Sequence, residues 1–388
     1  MKLQLLAMGL CVGLAGLQAH ADDKTSELIY IGTHGTSKAE QEQGKGSQQG
    51  IYAARFDTKT GKLSPLGLQI ELERATWLVT HPRLPVVYAV ADSGGGMSVE
   101  SNIHSFTVDQ ASGKLTQLNK VGAGGLDATH LDLQAASNTL FVANHGSGDV
   151  TALPLQPDGS LGKVASGQKT FGTGPHRRQK MPQPHGVAAY PAHVLVADFG
   201  ADRIFVFGFD GATRALTPAQ IPYESTPAGS GPRHLLFHPN GKFLYVDTEL
   251  TAELRAYRWD TNKAQLQPVQ AQSLYPADYS GAEKSAGEIA FSRDGRFLYV
   301  SLRGDQDSIV VYAVNEAAGT LKEVQRIASQ GKMPWSFGID PTARWMLVTN
   351  EASNSVTVFS VDAKTGRLSA TGESLAIPKP VTVAFYAN

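Results

Sequence analysis

The chain has 388 residues, with 34 Lys and Arg set against 35 Asp and Glu, so its formal charge is −1 and nothing draws it broadly toward nucleic acid or anionic lipid. Its single cysteine, Cys11, lies in an apolar leader, which excludes disulfides, thiol nucleophiles and cysteine zinc sites from the rest of the chain. Forty glycines and twenty prolines, spread evenly, point to many short strands joined by turns.

The first segment reads as a secretory signal peptide. Lys2 is the only charged side chain before an apolar run from Leu3 to Leu17, and Ala19-His20-Ala21 gives a small-x-small cleavage pattern just before Asp22-Asp23-Lys24. The run is too short to span a bilayer, and no later run approaches the ~18 apolar residues a span requires. Leu10 precedes Cys11, where a lipoprotein signal wants a small residue, so no lipid anchor is expected. Cleavage after Ala21 leaves residues 22–388 as one exported, soluble domain, without membrane insertion or an obligate protein partner in view.

Beyond the leader, one hairpin recurs. Two runs of β-formers flank turn residues in THPRLPVVYAVAD ending at Asp92, LQAASNTLFVANH at His145, and AAYPAHVLVADF at Phe199. The pattern returns in FHPNGKFLYVDTE ending at Glu249, FSRDGRFLYVSLR at Arg303, and IDPTARWMLVTNE at Glu351. Most are followed by a third strand such as IHSFTVD or SVTVFSVD. A fourth then opens on Gly-x-Leu, as in SGKLTQL, DGSLGKV, AGTLKEV and TGRLSAT. Four strands at roughly 50-residue spacing mark a β-propeller blade. Six repeats are complete. Leu28 to His34 supplies a second strand without a first and Pro380 to Tyr386 a first strand without a second, so the two ends pair and close a seven-bladed, all-β ring.

In such a ring the start of each first strand and the end of each second strand share one face. Aligned repeats place His34, Asp92, His145, Phe199, Glu249, Arg303 and Glu351 in one ring. Thr76, Thr129, His185, Arg233, Gly287 and Trp335 form another, followed by His130, His234 and Glu288. Arg233 and Glu249 lie at mirror positions about Gly241 and should meet at the hairpin's open end. The opposite ends carry ordinary turn residues, so a site is expected at this mouth, although a water-filled channel would also be polar. His81, His104, His193 and His238 fall in turns or mid-strand and read as structural. Two segments overhang the face: Ser37 to Gly50, polar and low in apolar content, and Gly172 to Gly186, which carries Arg177, Arg178 and Lys180. Either could serve as a lid, and the basic run could hold an anion or a hydroxyl.

Several of these stretches match a known family. RQKMPQPH at Arg178 to His185, ADFGADRI at Ala197 to Ile204, and GPRHLLFHPNGKFLY at Gly231 to Tyr245 are its most specific pieces, with weaker matches at Ala143 to Val150 and Phe297 to Gly304. On them the chain resembles the bacterial seven-bladed propeller lactonases, the 6-phosphogluconolactonase-like group, and most of all their periplasmic gluconolactonase members. More distantly it resembles the fungal carboxymuconate lactonising enzymes. The resemblance implies a catalytic set of His185, Arg233, Glu249 and Arg303. It also marks departures: Leu302 where Asn usually precedes the blade-six arginine, Trp335 in place of an arginine, and His145 in place of a common tyrosine.

The expected reaction is metal-independent hydrolysis of a sugar lactone, with no cofactor. His185 is assigned as general base, while Arg233 and Arg303 stabilise the oxyanion or the new carboxylate. Glu249 either orients an arginine or shares acid–base work with His185. Arg178, His34, His145, His234, Glu288 and Trp335 are the expected substrate contacts. An exported enzyme meets unphosphorylated glucono-1,5-lactone, whereas phosphorylated sugar lactones are cytoplasmic. A 6-phosphogluconolactonase, a carboxymuconate-type cycloisomerase and a non-catalytic binding propeller are the alternatives.

Overall fold

The structure, a computed structural model, describes residues 26–35, 49–91, 99–281 and 284–386. The leader through Ala21, Asp92 and the segment from Ser37 as far as residue 48 lie outside the described residues. The rest forms seven four-stranded antiparallel sheets in a closed ring, with the short 3-10 turn Gly304–Gln306 among the connections. Blade one is completed by the chain ends: Pro380–Tyr386 pairs antiparallel with Ser26–Thr33, matching Leu28 with Tyr386 and Ile31 with Val383. The expected closure is thereby observed.

Each blade packs on the next through alternate side chains of its inner strands. Between blades five and six, Tyr245, Leu254, Leu298, Val300 and Tyr312 form one such buried layer. Fixed hydrogen bonds reinforce it. The buried second-strand tyrosine of one blade donates to the carbonyl of the Gly-x-Leu glycine in the next: Tyr30 to Gly113 at 3.0 Å, Tyr88 to Gly159 at 2.9 Å, Tyr245 to Gly319 at 2.9 Å, and Tyr299 to Gly366 at 3.0 Å. The glycine is obligatory at Gly319, where φ is +76° and a Cβ would lie 2.3 Å from the Phe243 ring.

Blade three departs from the sequence pattern. Its fourth strand is Ser166–Lys169, later than the Gly-x-Leu segment at Gly159 to Leu161. A side chain of the preceding blade holds the Leu161 main chain, as Gln270 holds Leu321 and Gln325 holds Leu368 where the fourth strands of blades six and seven begin. The Asn119 side chain of blade two accepts from the Leu161 amide at 3.0 Å and donates to its carbonyl at 2.8 Å. A single bridge to Leu155 is all the sheet pairing left to Leu161.

Urea unfolding separates the two halves of the tyrosine–glycine contact. Tyr245→Phe should cost about 1 kcal/mol, the worth of one buried hydrogen bond. Gly319→Ala should cost roughly 2 kcal/mol or more, because left-handed strain adds to the clash with Phe243.

Candidate active site

The mouth is built by a repeated irregularity. The first strands of blades three to seven lose register just after they begin: between Ala128 and His130, Pro184 and Gly186, Pro232 and Leu235, Ala286 and Ile289, and Pro334 and Ser336. The residues the ladder skips are Thr129, His185, Arg233 with His234, Gly287 with Glu288, and Trp335. A bulge turns its side chains away from the pleat, here toward the channel, and leaves amides to be satisfied elsewhere. Second-strand side chains take them: His234 N donates to Asp247 Oδ1 at 2.7 Å, Glu288 N to Ser301 Oγ at 2.8 Å, and Ser336 N to Thr349 Oγ1 at 3.1 Å.

A second repeat ties the end of strand two to this start. The amides of His34, His145, Phe199, Glu249, Arg303 and Glu351 donate to the carbonyls of Lys379, Asp127, Gln183, Gly231, Ser285 and Met333, at 2.8–3.0 Å. The expected rings therefore stand side by side, joined to a third ring of residues just ahead of each first strand. Alignment on the strands passes over that third ring, which includes Arg74 and Asp127.

At the centre lies Glu249. Its Oε1 accepts from Arg178 Nη1 at 2.7 Å, and its Oε2 lies 3.2 Å from Arg233 Nε and 2.9 Å from Arg303 Nη2. Arg233 and Glu249 thus meet as their mirror positions required, through the bulge rather than as register partners. Arg303 also donates to the Ala286 carbonyl at 2.8 Å and lies 4.6 Å from the Trp335 ring centre, and Arg233 donates to the Gly287 carbonyl. Residue 287 must be glycine, since a Cβ would meet Ser301 Oγ at 2.4 Å. Burial alone would raise the Glu249 carboxyl, but the charges of Arg303, Arg233 and Arg178 overcome it and hold it at about 2. One carboxylate against three guanidiniums leaves two positive charges in excess. Burial first, then Arg233 and the other cations around it, push the His185 imidazole well below its ordinary range.

These groups line a cavity of ≈ 250 Å³ together with His34, Arg74, Asp127, His145, His234 and Trp335. His145 Nδ1 lies 3.1 Å from Asp127 Oδ2, and His34 Nδ1 lies 3.8 Å from Glu351 and packs edge-on against Trp335. The basic run divides. Arg178 reaches in, its side chain 50% exposed and stacked over Phe199, while Arg177 and Lys180 stay on the exposed surface. The segment is pinned beside them by buried Gln179, which donates to the Phe199 carbonyl at 2.8 Å and to Asp202 Oδ1 at 2.7 Å.

Trp77, His130 and His234 form the floor, with ring centres 4.2–5.1 Å apart. Glu288 lies beneath it, 3.2 Å from His234 Nδ1, and lines a second cavity of ≈ 520 Å³ that fills the rest of the channel. Of the expected substrate contacts, Glu288 alone is off the pocket wall. Among the described residues, no group of three or more His, Asp or Glu side chains is gathered as a metal site.

The comparisons with known proteins agree with one another. A sequence model of the family described as "Lactonase, 7-bladed beta-propeller" matches residues 29–385. The 6-phosphogluconolactonase of Bacillus subtilis is 33% identical over 366 residues, covering 93% of this chain and 99% of that one. The 6-phosphogluconolactonase of Formosa agariphila is 27% identical, covering 84% and 93%. The solved structure of the Pseudomonas aeruginosa periplasmic gluconolactonase superposes with a TM-score of 0.83 at 31% identity, covering 93% and 99%.

Burial raises the Glu288 carboxyl to about 7, so the folded protein holds a proton that the unfolded chain releases near pH 4.5. This contribution is complete below about pH 4.5 and is lost as pH rises through about 7. The buried histidines act with the opposite sign, so the expectation concerns a difference. Between pH 5 and 8 the wild type should lose stability relative to Glu288→Gln, measured by urea unfolding at each pH.

Proposed function

The chain belongs to the seven-bladed β-propeller lactonases, and from that premise we propose that it hydrolyses an unphosphorylated sugar lactone, glucono-1,5-lactone or its galactose counterpart, to the free aldonic acid. That it is a lactone-hydrolysing enzyme, a carboxylic ester hydrolase, follows from the family; the substrate and the roles below are our reading. The observation that carries it is the pair of buried guanidiniums, Arg233 and Arg303, fixed on one carboxylate in a pocket with excess positive charge. Attack on a lactone carbonyl creates an oxyanion and then a carboxylate, and preorganised cations favour both. Glu249, spent on three arginines, acts as their positioner. Neutral His185 orients the attacking water or a substrate hydroxyl. A cavity of ≈ 250 Å³ is below the roughly 300–1,000 Å³ of common ligand pockets and suits one sugar ring. Trp335 offers that ring an apolar wall.

The placement of the basic run supports the unphosphorylated substrate. Arg178 is committed to Glu249, and Arg177 and Lys180 lie off the cavity. The signal-peptide reading of residues 1–21 favours the same substrate and export to the periplasm, where the Pseudomonas aeruginosa gluconolactonase resides. A 6-phosphogluconolactonase is the second reading, favoured by the names of the Bacillus and Formosa relatives and by the excess positive charge.

Acid release at fixed pH, above the spontaneous rate, decides between them. The expected kcat/KM for glucono-1,5-lactone exceeds that for its 6-phosphate by at least tenfold and is unchanged by EDTA; the reverse preference would install the second reading. Arg303→Lys should lower kcat/KM about 100-fold, the usual loss of one oxyanion donor.

A further inference from the structure

Of the four histidines that line the pocket, two differ in chemistry although their ring centres are only 5.8 Å apart: His185 stands among the arginines, and His145 stands beside it against a carboxylate. His145 sits at the end of the second strand of blade three, Thr139–Asn144, and its backbone amide donates to the Asp127 carbonyl at 3.0 Å. This is the same bond that every described mouth pair makes. What differs is the side-chain identity. At the matching positions, Lys379 stands beside His34, Gln183 beside Phe199, Gly231 beside Glu249, Ser285 beside Arg303 and Met333 beside Glu351. Only in blade three, among these described pairs, does the repeat set a carboxylate against an imidazole. The resulting contact, His145 Nδ1 to Asp127 Oδ2, is 3.1 Å, within hydrogen-bond range, whereas His34 and Glu351 are 3.8 Å apart.

We propose that His145, oriented by Asp127, is the general base that takes the proton from the attacking water, with Nδ1–H held on the carboxylate and Nε2 turned to the pocket. Both side chains line the cavity and are partly open to it, 19% and 27% exposed. An ionised carboxylate only accepts hydrogen bonds, so it fixes the tautomer in which Nδ1 carries the hydrogen. It also stabilises the imidazolium that forms. Burial pushes the Asp127 carboxyl up, but its hydrogen bond to His145 and the charges of His145 and Arg74 bring it below the ordinary range. Among the described residues His185 has no such partner: its buried Nδ1 meets no hydrogen-bonding group there, and Arg233 and Arg303 repel a proton placed on its ring.

The step balances without a further reagent. The water oxygen bonds to the lactone carbonyl carbon while its proton passes to His145 Nε2, and the carbonyl oxygen becomes an oxyanion facing Arg233 and Arg303. Collapse breaks the bond from that carbon to the ring oxygen, which takes the proton back from His145 as a hydroxyl. The acid product then ionises. The charged and titratable groups facing His145 are Asp127 and Arg74 from the blade-two and blade-three strand entries, His185 and Asp198 from blade four, and Arg178 from the segment before it.

This inference rests on the lactone-hydrolase reading, and the test separates the two. Initial rates on fresh glucono-1,5-lactone and its 6-phosphate, corrected for spontaneous hydrolysis, give kcat and kcat/KM against pH for the wild type, His145→Gln, Asp127→Asn and His185→Gln. Unfolding curves establish that each variant folds. We expect His145→Gln to lose 10²- to 10⁴-fold in kcat and to lose the acid limb of the profile. Asp127→Asn should move that limb about one pH unit lower, because the imidazolium loses its counter-charge. His185→Gln should slow the reaction and leave the limb in place. A folded His145→Gln that keeps the wild-type limb, or an Asp127→Asn profile that does not move, overturns the dyad while lactone hydrolysis stands. A wild type inert on both lactones overturns the functional reading and this inference with it.

Discussion

The ring is spaced by a hydroxyl that crosses from one blade to the next. Tyr30, Tyr88, Tyr245 and Tyr299 each rise from the middle of a second strand and end on the carbonyl of a glycine in the following blade. A buried hydroxyl left unpaired would be costly, so the distance between neighbouring sheets has little freedom where this bond is made. The catalytic mouth inherits that precision. Arg233 belongs to blade five, Arg303 to blade six and Arg178 to the approach to blade four, yet all three reach one carboxylate. A small rotation of blade five against blade six would part Glu249 from Arg303.

That cluster is better understood as geometry than as stability. Bringing the two buried guanidiniums of Arg233 and Arg303 and a carboxylate out of water is expensive, and their attraction at best offsets the cost. The ring supplies the compensation elsewhere, in seven apolar layers of the kind formed by Tyr245, Leu298 and Tyr312. What the cluster provides is two cations that cannot turn away, which in the proposed reaction face the oxyanion. It also makes the surrounding histidines poor proton carriers: burial and the neighbouring arginines keep both His185 and His234 well below the ordinary imidazole range. In the proposed dyad, acid–base work falls instead to His145, which has the Asp127 carboxylate beside it.

Much of this was legible in the sequence. The hairpin repeat, the split first blade and the meeting of Arg233 with Glu249 follow from strand periodicity and turn chemistry alone, and those features survive in the structure. What stayed hidden was local competition for main-chain groups. No strand pattern reveals that blade three sets its fourth strand beyond the Gly-x-Leu segment, or that first strands bulge where Asp247, Ser301 and Thr349 accept main-chain amides. Asp127 and Arg74 lay just ahead of the aligned strands, in left-handed turns at φ +49° and +46°, and so fell outside the rings that alignment defines. Their signal was a fixed offset from the strand, two residues before Thr129 and Thr76. Glu288 shows the converse: alignment placed it in the right layer but could not say on which side of the floor.

The floor completes the logic of the site. A propeller has an open axis, and a hydrolase working at one mouth would otherwise stand on a column of water. Trp77, His130 and His234 close that axis with tilted and edge-on rings, and Glu288 braces His234 from below while accepting from Ser336 Oγ at 3.2 Å. Removing bulk water strengthens every charge–charge interaction above the floor, including the hold of Glu249 on its arginines. The reaction needs one water in a defined place rather than many. Wall and floor are set by separate positions of the same repeat. Blade three supplies His145 to the wall and His130 to the floor, and blade five supplies Glu249 to the wall and His234 to the floor, so one hairpin can serve both the pocket and its closure.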